Sequence, residues 1–175
     1  FNLTSRTGEH DVAVVSVIPS DTVASRGQII IATVIARNEG NAVETFNVTA
    51  YYDTQSIETK QVKNLLPNTN ITLSFSWNTT GLQLASYTIS AKATPVPDET
   101  DTADNTCIDG TVLVTLIGDV NGDRRVDIKD IYLILKAYGS TPGKPKWNPR
   151  CDLNFDCKID IKDVYIAIRN FMKSW

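Results

Sequence analysis

Two stretches near the end of this 175-residue chain place oxygen-bearing side chains at the same intervals. Residues 119–135 read DVNGDRRVDIKDIYLIL and residues 152–168 read DLNFDCKIDIKDVYIAI, an offset of 33 with eight of seventeen positions identical. Counted from the first Asp, carboxylates or amides stand at positions 1, 3, 5, 9 and 12 of each stretch. They are Asp119, Asn121, Asp123, Asp127 and Asp130, then Asp152, Asn154, Asp156, Asp160 and Asp163. This spacing suits a twelve-residue loop wrapped around one cation.

The ligand chemistry of the two loops favours calcium. Position 7, Arg125 or Lys158, supplies a backbone carbonyl in a loop of this kind. No sulfur or imidazole stands at a ligand position, which disfavours zinc, and Mg²⁺ resists losing its waters to an all-protein cage. All eight acidic residues of the stretch 118–175 occupy ligand positions, so their mutual repulsion requires a counter-ion. The sequence therefore predicts two Ca²⁺ sites, in loops 119–130 and 152–163.

Each loop leads into a predicted helix. Asp127 and Asp160 suit the N-cap position, and Asp130 and Asp163 follow three residues later, where a carboxylate favours the positive helix end. Gly139 is expected to end the first helix. Two apolar stripes are predicted to pack face to face. They are Ile131, Ile134, Leu135 and Tyr138, and Val164, Ala167, Ile168 and Phe171.

The preceding residues have the period of β-strands. Residues 71–77 alternate strictly between apolar and polar side chains, and residues 46–49 do the same. Other β-rich runs, Val12–Ile18, Ile29–Ile35, Tyr87–Ala93 and Thr111–Leu116, are separated by Gly, Asn, Asp and Pro. Roughly seven short strands without a helix predict an immunoglobulin-like antiparallel β-sandwich. The predicted fold is thus mainly β with a small α module.

One strand is apolar on both faces. Ile29–Ile35 has apolar side chains at both parities, unlike the other runs. Either this strand is central and covered on both sides, or its outer face meets another module.

Several short motifs in the strand region resemble one family in their order along the chain. They are His10-Asp11-Val12, the Asn38-Glu39-Gly40-Asn41 turn, Phe75-Ser76-Trp77-Asn78-Thr79, Tyr87-Thr88-Ile89 and Asp104-Asn105-Thr106. Together they resemble CARDB domains, the cell-adhesion-related modules of archaeal and bacterial surface proteins. The resemblance covers residues 10–117, after an N-terminal extension of residues 1–9. It implies an extracellular sandwich with an adhesive or spacer role and no active site.

The duplicated loop followed by one helix resembles the type I dockerin domain over residues 118–175. This resemblance implies docking onto a cohesin module through loop positions 10 and 11 and the following helix. Those positions are Ile128-Lys129 and Ile161-Lys162, the same pair twice, which implies two pseudo-symmetric binding faces. The Ile-Lys pair differs from the small hydroxyl residues common in cellulosomal dockerins.

Two further features depart from the dockerin pattern. Position 6, usually Gly because the turn there favours positive φ, is Arg124 or Cys157 here. Each side chain is expected to cost on the order of 1 kcal/mol in that conformation. Only Gly118 separates the two predicted domains, whereas a dockerin is normally tethered by a flexible linker.

Asparagine sequons favour an extracellular location. Asn2, Asn47, Asn70 and Asn78 each begin an Asn-x-Ser/Thr sequence, an N-glycosylation acceptor. Asn47, Asn70 and Asn78 are opposite in phase to the apolar side chains of their strands, so they are expected to face solvent.

Three cysteines allow one disulfide. Cys151 and Cys157 flank the second loop and are the preferred pair, with a bond from Cys107 to either one as the rival. The remaining cysteine then forms an intermolecular bond or is a buried thiol.

Charge and composition exclude several function classes. The net charge is −3, divided into −6 for residues 1–117 and +3 for residues 118–175. No long basic run with aromatic residues indicates nucleic-acid binding, and no apolar run is long enough for membrane insertion. The one histidine, His10, has no nucleophile and orienting group beside it in sequence, so no enzyme is predicted.

Three functions follow from these features. The first is a structural or adhesive cell-surface subunit that associates with copies of itself, head to tail, because its two ends carry opposite charge. The second is a connector that binds a cohesin-like module. The third is a C-terminal accessory fragment of a larger secreted enzyme, since a chain that starts at Phe1 favours a processed product. All three place the chain outside the cell.

Overall fold

The computed structural model describes residues 8–175. Asn2 and most of the predicted extension 1–9 lie outside the described residues. The described chain forms eight strands: β1 Val12–Pro19, β2 Val23–Ser25, β3 Ile29–Asn38, β4 Glu44–Tyr52, β5 Gln55–Leu65, β6 Asn70–Asn78, β7 Ala85–Ala93 and β8 Thr106–Thr115. Two α-helices follow, α1 Ile128–Ala137 and α2 Ile161–Arg169, with a 3₁₀ turn at Pro149–Cys151 between them.

The strands form two sheets. One has the order β1-β3-β6 and the other the order β2-β8-β7-β4-β5. This arrangement confirms the predicted mainly-β sandwich followed by a small helical module. The sheets are not wholly antiparallel, because the short strand β2 pairs in parallel with β8.

Strand β3 lies between β1 and β6, so it is central, as one alternative predicted, but it is not fully covered on both sides as that alternative also required. Its inward side chains Ile30, Ala32, Val34 and Ala36 are buried, as an alternating strand requires. The opposite side chains stay partly exposed, and Ile29 is exposed. The outer face of β3 is therefore only partly covered within residues 8–175.

The described chain divides into two compact units. The first contains the described part of the stretch that ends at Ser20, together with Ile31–Trp77 and Thr88–Thr111. The rings of Tyr52 and Trp77 stack in it at 5.1 Å, beside the fully buried Phe75. The second unit contains Asp21–Ile30, Asn78–Tyr87 and Val112–Trp175. The predicted domain bounds, 10–117 and 118–175, stay a prediction.

Candidate calcium-binding and docking site

The first carboxylate of each loop accepts hydrogen bonds from backbone N–H groups of the same loop. Asp119 Oδ1 accepts a hydrogen bond from the Asp123 N–H (3.1 Å), and Asp119 Oδ2 accepts one from the Arg124 N–H (2.9 Å). Asp152 repeats both contacts in the second loop, at 3.1 and 2.8 Å. Burial raises the pKa of Asp119 and that of Asp152. A positive charge beside either carboxylate would therefore stabilise its ionised form.

The last carboxylate of each loop is fully buried and faces back into the loop. Asp130 Oδ1 accepts from the N–H groups of Val120 (2.9 Å) and Asn121 (3.1 Å). Asp130 Oδ2 accepts from the Asp127 N–H at 2.9 Å. Asp163 makes the same three contacts at 2.8, 3.3 and 2.8 Å. Position 12 therefore joins the two ends of each loop to the first turn of the helix.

Both helices begin with a capping box, which confirms the predicted N-caps. Asp127 caps α1 and Asp160 caps α2, and each side chain accepts a hydrogen bond from the backbone two residues further on. Asp130 and Asp163 complete the two boxes. Helix α1 ends at Ala137, and Gly139 follows at φ 76°, the left-handed conformation that suits glycine.

Position 6 adopts the strained backbone predicted for it. Arg124 has φ 71° and Cys157 has φ 61°, although neither is glycine. At position 4, Gly122 has φ 76° and Phe155 has φ 59°. The two loops therefore share one backbone course, and the second loop carries more strain because both of its left-handed residues have side chains.

The remaining predicted ligands lie on the exposed rim of each loop. Asn121 Nδ2 donates to Asp123 Oδ2 at 3.1 Å, and Asn154 Nδ2 donates to Asp156 Oδ2 at 2.8 Å. Lys162 Nζ lies 3.2 Å from Asp156 Oδ2, while the hydrogen bond from Asn154 is the first cause of the lowered pKa of Asp156. The roles of the Arg125 and Lys158 carbonyls stay a prediction.

The donor set suits calcium in its chemistry. Every predicted side-chain ligand offers oxygen, and the same hydrogen-bond pattern recurs in both loops at an offset of 33. As the side chains stand, no three His, Cys, Asp or Glu residues within 8–175 are grouped closely enough to hold a metal ion. Carboxylates at positions 1 and 12 hold backbone N–H groups instead.

The two repeats are joined by a pseudo-twofold backbone pairing. Val126, at position 8 of the first loop, donates to Lys173 O (2.9 Å) and accepts from the Met172 N–H (2.8 Å). Ile159, at the same position of the second loop, pairs with Ser140 (3.0 Å) and Gly139 (2.8 Å). Each loop thus binds the residues that follow the helix of the other repeat.

The helical module has its own small core, which corrects part of the predicted stripes. Its buried members are Val120, Ile134, Ala137, Cys151, Leu153, Ile159, Val164 and Ala167. Leu135, Tyr138, Ile168 and Phe171 were predicted to face this core and are exposed. Asp130 and Asp163 face their loops, and this fixes the rotation of each helix about its axis. The side chains buried with Asp130 on α1 are Ile134 and Ala137, and those buried with Asp163 on α2 are Val164 and Ala167.

Rotation of the helices leaves a duplicated apolar stripe on the surface. Ile128, Tyr132 and Leu135 are spaced i, i+4, i+7 on α1, and Ile161, Tyr165 and Ile168 have the same spacing on α2. Ile128 is 67% exposed and Ile161 is 65% exposed. The side chains of Lys129 and Lys162, the other half of the predicted docking pair, are also exposed. Tyr132 and Tyr165 were not predicted as part of a surface, although their identity at the 33-residue offset is visible in the sequence. Leu135 and Ile168 were predicted to lie in the core.

The second compact unit also contains contacts between the helical module and strand ends. The guanidinium of Arg150 pairs with the carboxylate of Asp21 through Nε and Nη2. Trp175 Nε1 donates to Thr115 Oγ1 at 3.1 Å. Gly118 has φ 104°, and a Cβ there would lie 3.3 Å from Ala167 Cα. Gly118 is therefore part of a packed turn.

The predicted Cys151–Cys157 disulfide is not formed in the structure, where all three cysteines are free thiols. Cys151 is fully buried in the core of the helical module, whereas Cys157 is exposed on the second loop. The two side chains therefore occupy opposite environments. Burial raises the pKa of the Cys151 thiol to about 12. Cys107, the predicted rival partner, is partly buried on β8.

The three sequon asparagines in the described chain are exposed, as strand parity predicted. Asn47 lies in β4, while Asn70 begins β6 and Asn78 ends it. Whether they carry glycans stays a prediction.

The chain thus combines a β-sandwich with a duplicated loop-helix module. The CARDB family model matches residues 9–109, and the model of the dockerin type I domain matches residues 117–172. The chain belongs to the CARDB family and carries a dockerin type I domain after the CARDB domain. Both predicted resemblances are confirmed. A search of the curated proteins found no match.

One solved structure supports the fold of the sandwich, and others share lower similarity with it. The crystal structure of a CARDB domain from Pyrococcus furiosus, in complex with di-metal ions, has a TM-score of 0.52 and 24% identity, covering 62% of this chain and 96% of that one. A domain from Methanosarcina acetivorans solved by NMR has a TM-score of 0.47 and 26% identity over 61% of this chain and 92% of that one. A β-glucosidase from Erythrobacter marinus has a TM-score of 0.48 and 12% identity over 60% of this chain and 15% of that one.

The CARDB and dockerin families have known general properties. CARDB and dockerin domains are non-catalytic and occur in cell-surface or extracellular proteins. Dockerin type I domains typically bind calcium, and they bind cohesin modules. No helix within the described residues has both the length and the apolar character to span a membrane.

Proposed function

We propose that this chain is a calcium-stabilised, non-catalytic connector on the cell surface, in which the helical module binds a cohesin-like partner. The observation that carries this proposal is the duplicated stripe on α1 and α2, where six apolar or aromatic side chains remain exposed at helical spacing. Large apolar side chains that repeat on one helix face and do not enter the core mark an interaction surface.

Two calcium ions are proposed to hold the loops that present this stripe. The side chains of Asp119, Asn121, Asp123, Asp127 and Asp130 would hold the first ion, with the Arg125 carbonyl. Those of Asp152, Asn154, Asp156, Asp160 and Asp163 would hold the second, with the Lys158 carbonyl. Bound calcium would neutralise the loop carboxylates and so fix the first turn of each helix, where the docking pairs begin.

Either helix can serve as the docking face. Ile128-Lys129 and Ile161-Lys162 occupy equivalent positions, followed by Tyr132 or Tyr165 one turn later. A partner that recognises one face therefore meets the same chemistry after a half-turn about the pseudo-twofold axis. The lysines add positive charge beside each apolar anchor, which favours a partner with an acidic rim.

The docking proposal predicts a difference between single and double variants. Ile128→Asp or Ile161→Asp alone should lower cohesin affinity only about twofold, because the other face remains. The double variant should lose about 30- to 150-fold, since a central anchor contributes about 2–3 kcal/mol. Binding of the full chain to a panel of cohesin modules by calorimetry in calcium measures both effects.

Ile108→Asp is the matched control, because Ile108 is an equally exposed isoleucine on β8. It should leave cohesin binding unchanged. Equal losses in the single and double variants would exclude two interchangeable faces. Binding that survives the double variant would exclude the stripe as the docking surface.

Self-association is the second candidate function, favoured by charge. Residues 1–117 carry −6 and residues 118–175 carry +3, which two calcium ions would raise to +7. Opposite charges on one chain favour head-to-tail contact between copies. Sedimentation of the full chain in calcium, at low and high salt, separates the candidates. A salt-sensitive oligomer supports self-association, whereas a salt-independent monomer supports the connector.

We also propose that the sandwich is glycosylated at Asn47, Asn70 and Asn78, with Asn2 as a further acceptor. The exposed position of the first three is the supporting observation. The intact mass of the protein from its natural source should exceed the polypeptide mass by whole glycans, and treatment that removes N-glycans should abolish the excess. An intact mass equal to that of the bare polypeptide contradicts this proposal.

A further inference from the structure

The first compact unit contains a second group of acidic residues, unrelated to the calcium loops. It consists of Asp11, Glu39, Glu99, Asp101 and Asp104. Asp11 precedes β1, Glu39 follows β3, and the other three lie between β7 and β8. The Asp11 carbonyl accepts from the Glu39 N–H at 2.9 Å, and the Asp104 carbonyl accepts from the Val14 N–H at 2.9 Å. Backbone contacts therefore bring these three segments together.

The positive charge near this group is small. Among the described residues, no ion pair reaches Asp11, Glu99, Asp101 or Asp104, and Glu39 has only Arg37 at 3.7 Å. Burial and then the charge of Asp104 raise the pKa of Asp11 to about 6. Burial also raises the pKa of Asp104. The carboxylates therefore repel one another without a counter-charge of comparable size.

Three buried oxygens in the same place lack hydrogen-bond partners. Asp11 Oδ1 and Asp104 Oδ1 are both buried, and neither accepts a hydrogen bond. Asn105 is only 1% exposed, and its Oδ1 also has no partner. Because Asn105 Nδ2 donates to Glu99 Oε1 at 3.0 Å, the amide of Asn105 lies within the acidic group. A buried acceptor without a partner costs about 1–3 kcal/mol, so three together need an explanation.

We propose that this group is a third site for a hard divalent cation, of the Ca²⁺ class, with Asp11 Oδ1, Asp104 Oδ1 and Asn105 Oδ1 as ligands. All three ligands are oxygens, and no sulfur or imidazole takes part, which is the chemistry calcium prefers. A cation would satisfy all three acceptors at once and offset the repulsion among the carboxylates. The site lies on the sandwich and is independent of the dockerin loops.

Glu99 positions the ligands and is not itself one of them. Its Oε1 accepts from the Val12 N–H (3.0 Å) and from Asn105 Nδ2, and its Oε2 accepts from the Val96 N–H (2.8 Å). Since no three carboxylates of the described chain are grouped to hold a metal as they stand, the coordination shell must be completed by the exposed side chains. Glu39 and Asp101 are exposed, and each would exchange one contact for the ion, with Arg37 at 3.7 Å or with the Ala103 N–H at 3.0 Å.

The number of bound ions tests this site. In equilibrium dialysis of the full chain against calcium at neutral pH, Asp11→Asn with Asp104→Asn should bind one Ca²⁺ fewer per chain than the control. The control combines Glu58→Gln with Asp109→Asn, which removes two exposed carboxylates of the sandwich outside the group. This difference does not depend on how many ions the dockerin loops bind. Equal stoichiometry in the two variants would overturn the proposal.

Thermal unfolding gives a second, independent readout. In chelator, Asp11→Asn with Asp104→Asn should unfold at a higher temperature than wild type, because repulsion is removed. In millimolar calcium the order should reverse, because only wild type gains the ion. If the two carboxyl groups merely share a proton, the variant unfolds at the higher temperature in both conditions, and the metal site is excluded.

Discussion

Chelation of calcium is expected to unfold residues 118–175 while the strands of the first compact unit stay folded. The stretch has 58 residues and a core of only eight buried side chains. A domain below about 70–80 residues seldom has enough buried apolar surface to fold alone, so small domains use metals or disulfides. With all three cysteines free, no disulfide can take the place of the ions.

Calcium should contribute free energy of folding directly. An ion that binds only the folded loop stabilises it by about 4 kcal/mol when its concentration is 1,000 times Kd. Removing the ions also leaves four carboxylates without a counter-ion in each twelve-residue loop, with Arg124 and Cys157 still in the left-handed conformation. The free energy of unfolding of the helical module should therefore fall to about zero in chelator.

Hydrogen exchange of the full chain, with and without chelator, measures this difference by region. Amides of α1 and α2 should lose protection in chelator, whereas amides of β4 and of the residues of β7 paired with it should keep theirs. Addition of Mg²⁺ in place of Ca²⁺ is the control and should restore little protection, because Mg²⁺ keeps several of its waters. Unchanged protection of both helices in chelator would show that calcium does not stabilise the module.

The backbone course of the two loops could be predicted from the sequence in detail. Their helix caps and the left-handed position 6 depend on spacing within twelve residues, so the local sequence contains most of the information. The capping role of Asp127 and the positive φ of Arg124 are two examples. Duplication at an offset of 33 added a second, independent copy of the same signal.

The rotation of the helices could not be predicted in the same way. Leu135 is as apolar as Ile134 and the ring of Tyr138 is largely apolar, so periodicity alone places them on the same stripe. The buried carboxylate of Asp130 determines the rotation of α1, because its three hydrogen bonds fix which side of the helix faces the loop. An apolar pattern on a helix therefore does not by itself identify the side that faces the core.

Two strands of the sandwich also escaped the sequence analysis. Strand β5, Gln55–Leu65, is the outermost strand of its sheet and is exposed on both faces over most of its length, so it has no apolar alternation to detect. Strand β2 has three residues and pairs in parallel with β8, a contact between distant segments. The acidic group around Asp11 and Asp104 also comes from three separate segments, so no local sequence motif predicts it.

Asp130→Ala is expected to destabilise the helical module by about 3–5 kcal/mol even in saturating calcium, because an unpaired buried N–H costs about 1–3 kcal/mol. The Asp130 carboxylate accepts hydrogen bonds from three N–H groups and is fully buried. Alanine removes all three acceptors, a calcium ligand and half of the capping box together. Asp163→Ala should have an effect of similar size on the second loop, since Asp163 makes the same contacts.

Two other substitutions separate these causes in urea unfolding monitored by the circular dichroism of the helices. Asp123→Ala also removes a predicted calcium ligand, but from the exposed rim, so it should cost clearly less than Asp130→Ala. Asp130→Asn keeps one acceptor oxygen but turns an N–H group toward the Asp127 N–H, so its cost should lie between the other two. If Asp123→Ala destabilises the module as much as Asp130→Ala, the loss of the ion explains both effects. Asp130 then has no separate role in joining the loop to the helix, and its hydrogen bonds do not determine which side of α1 is buried.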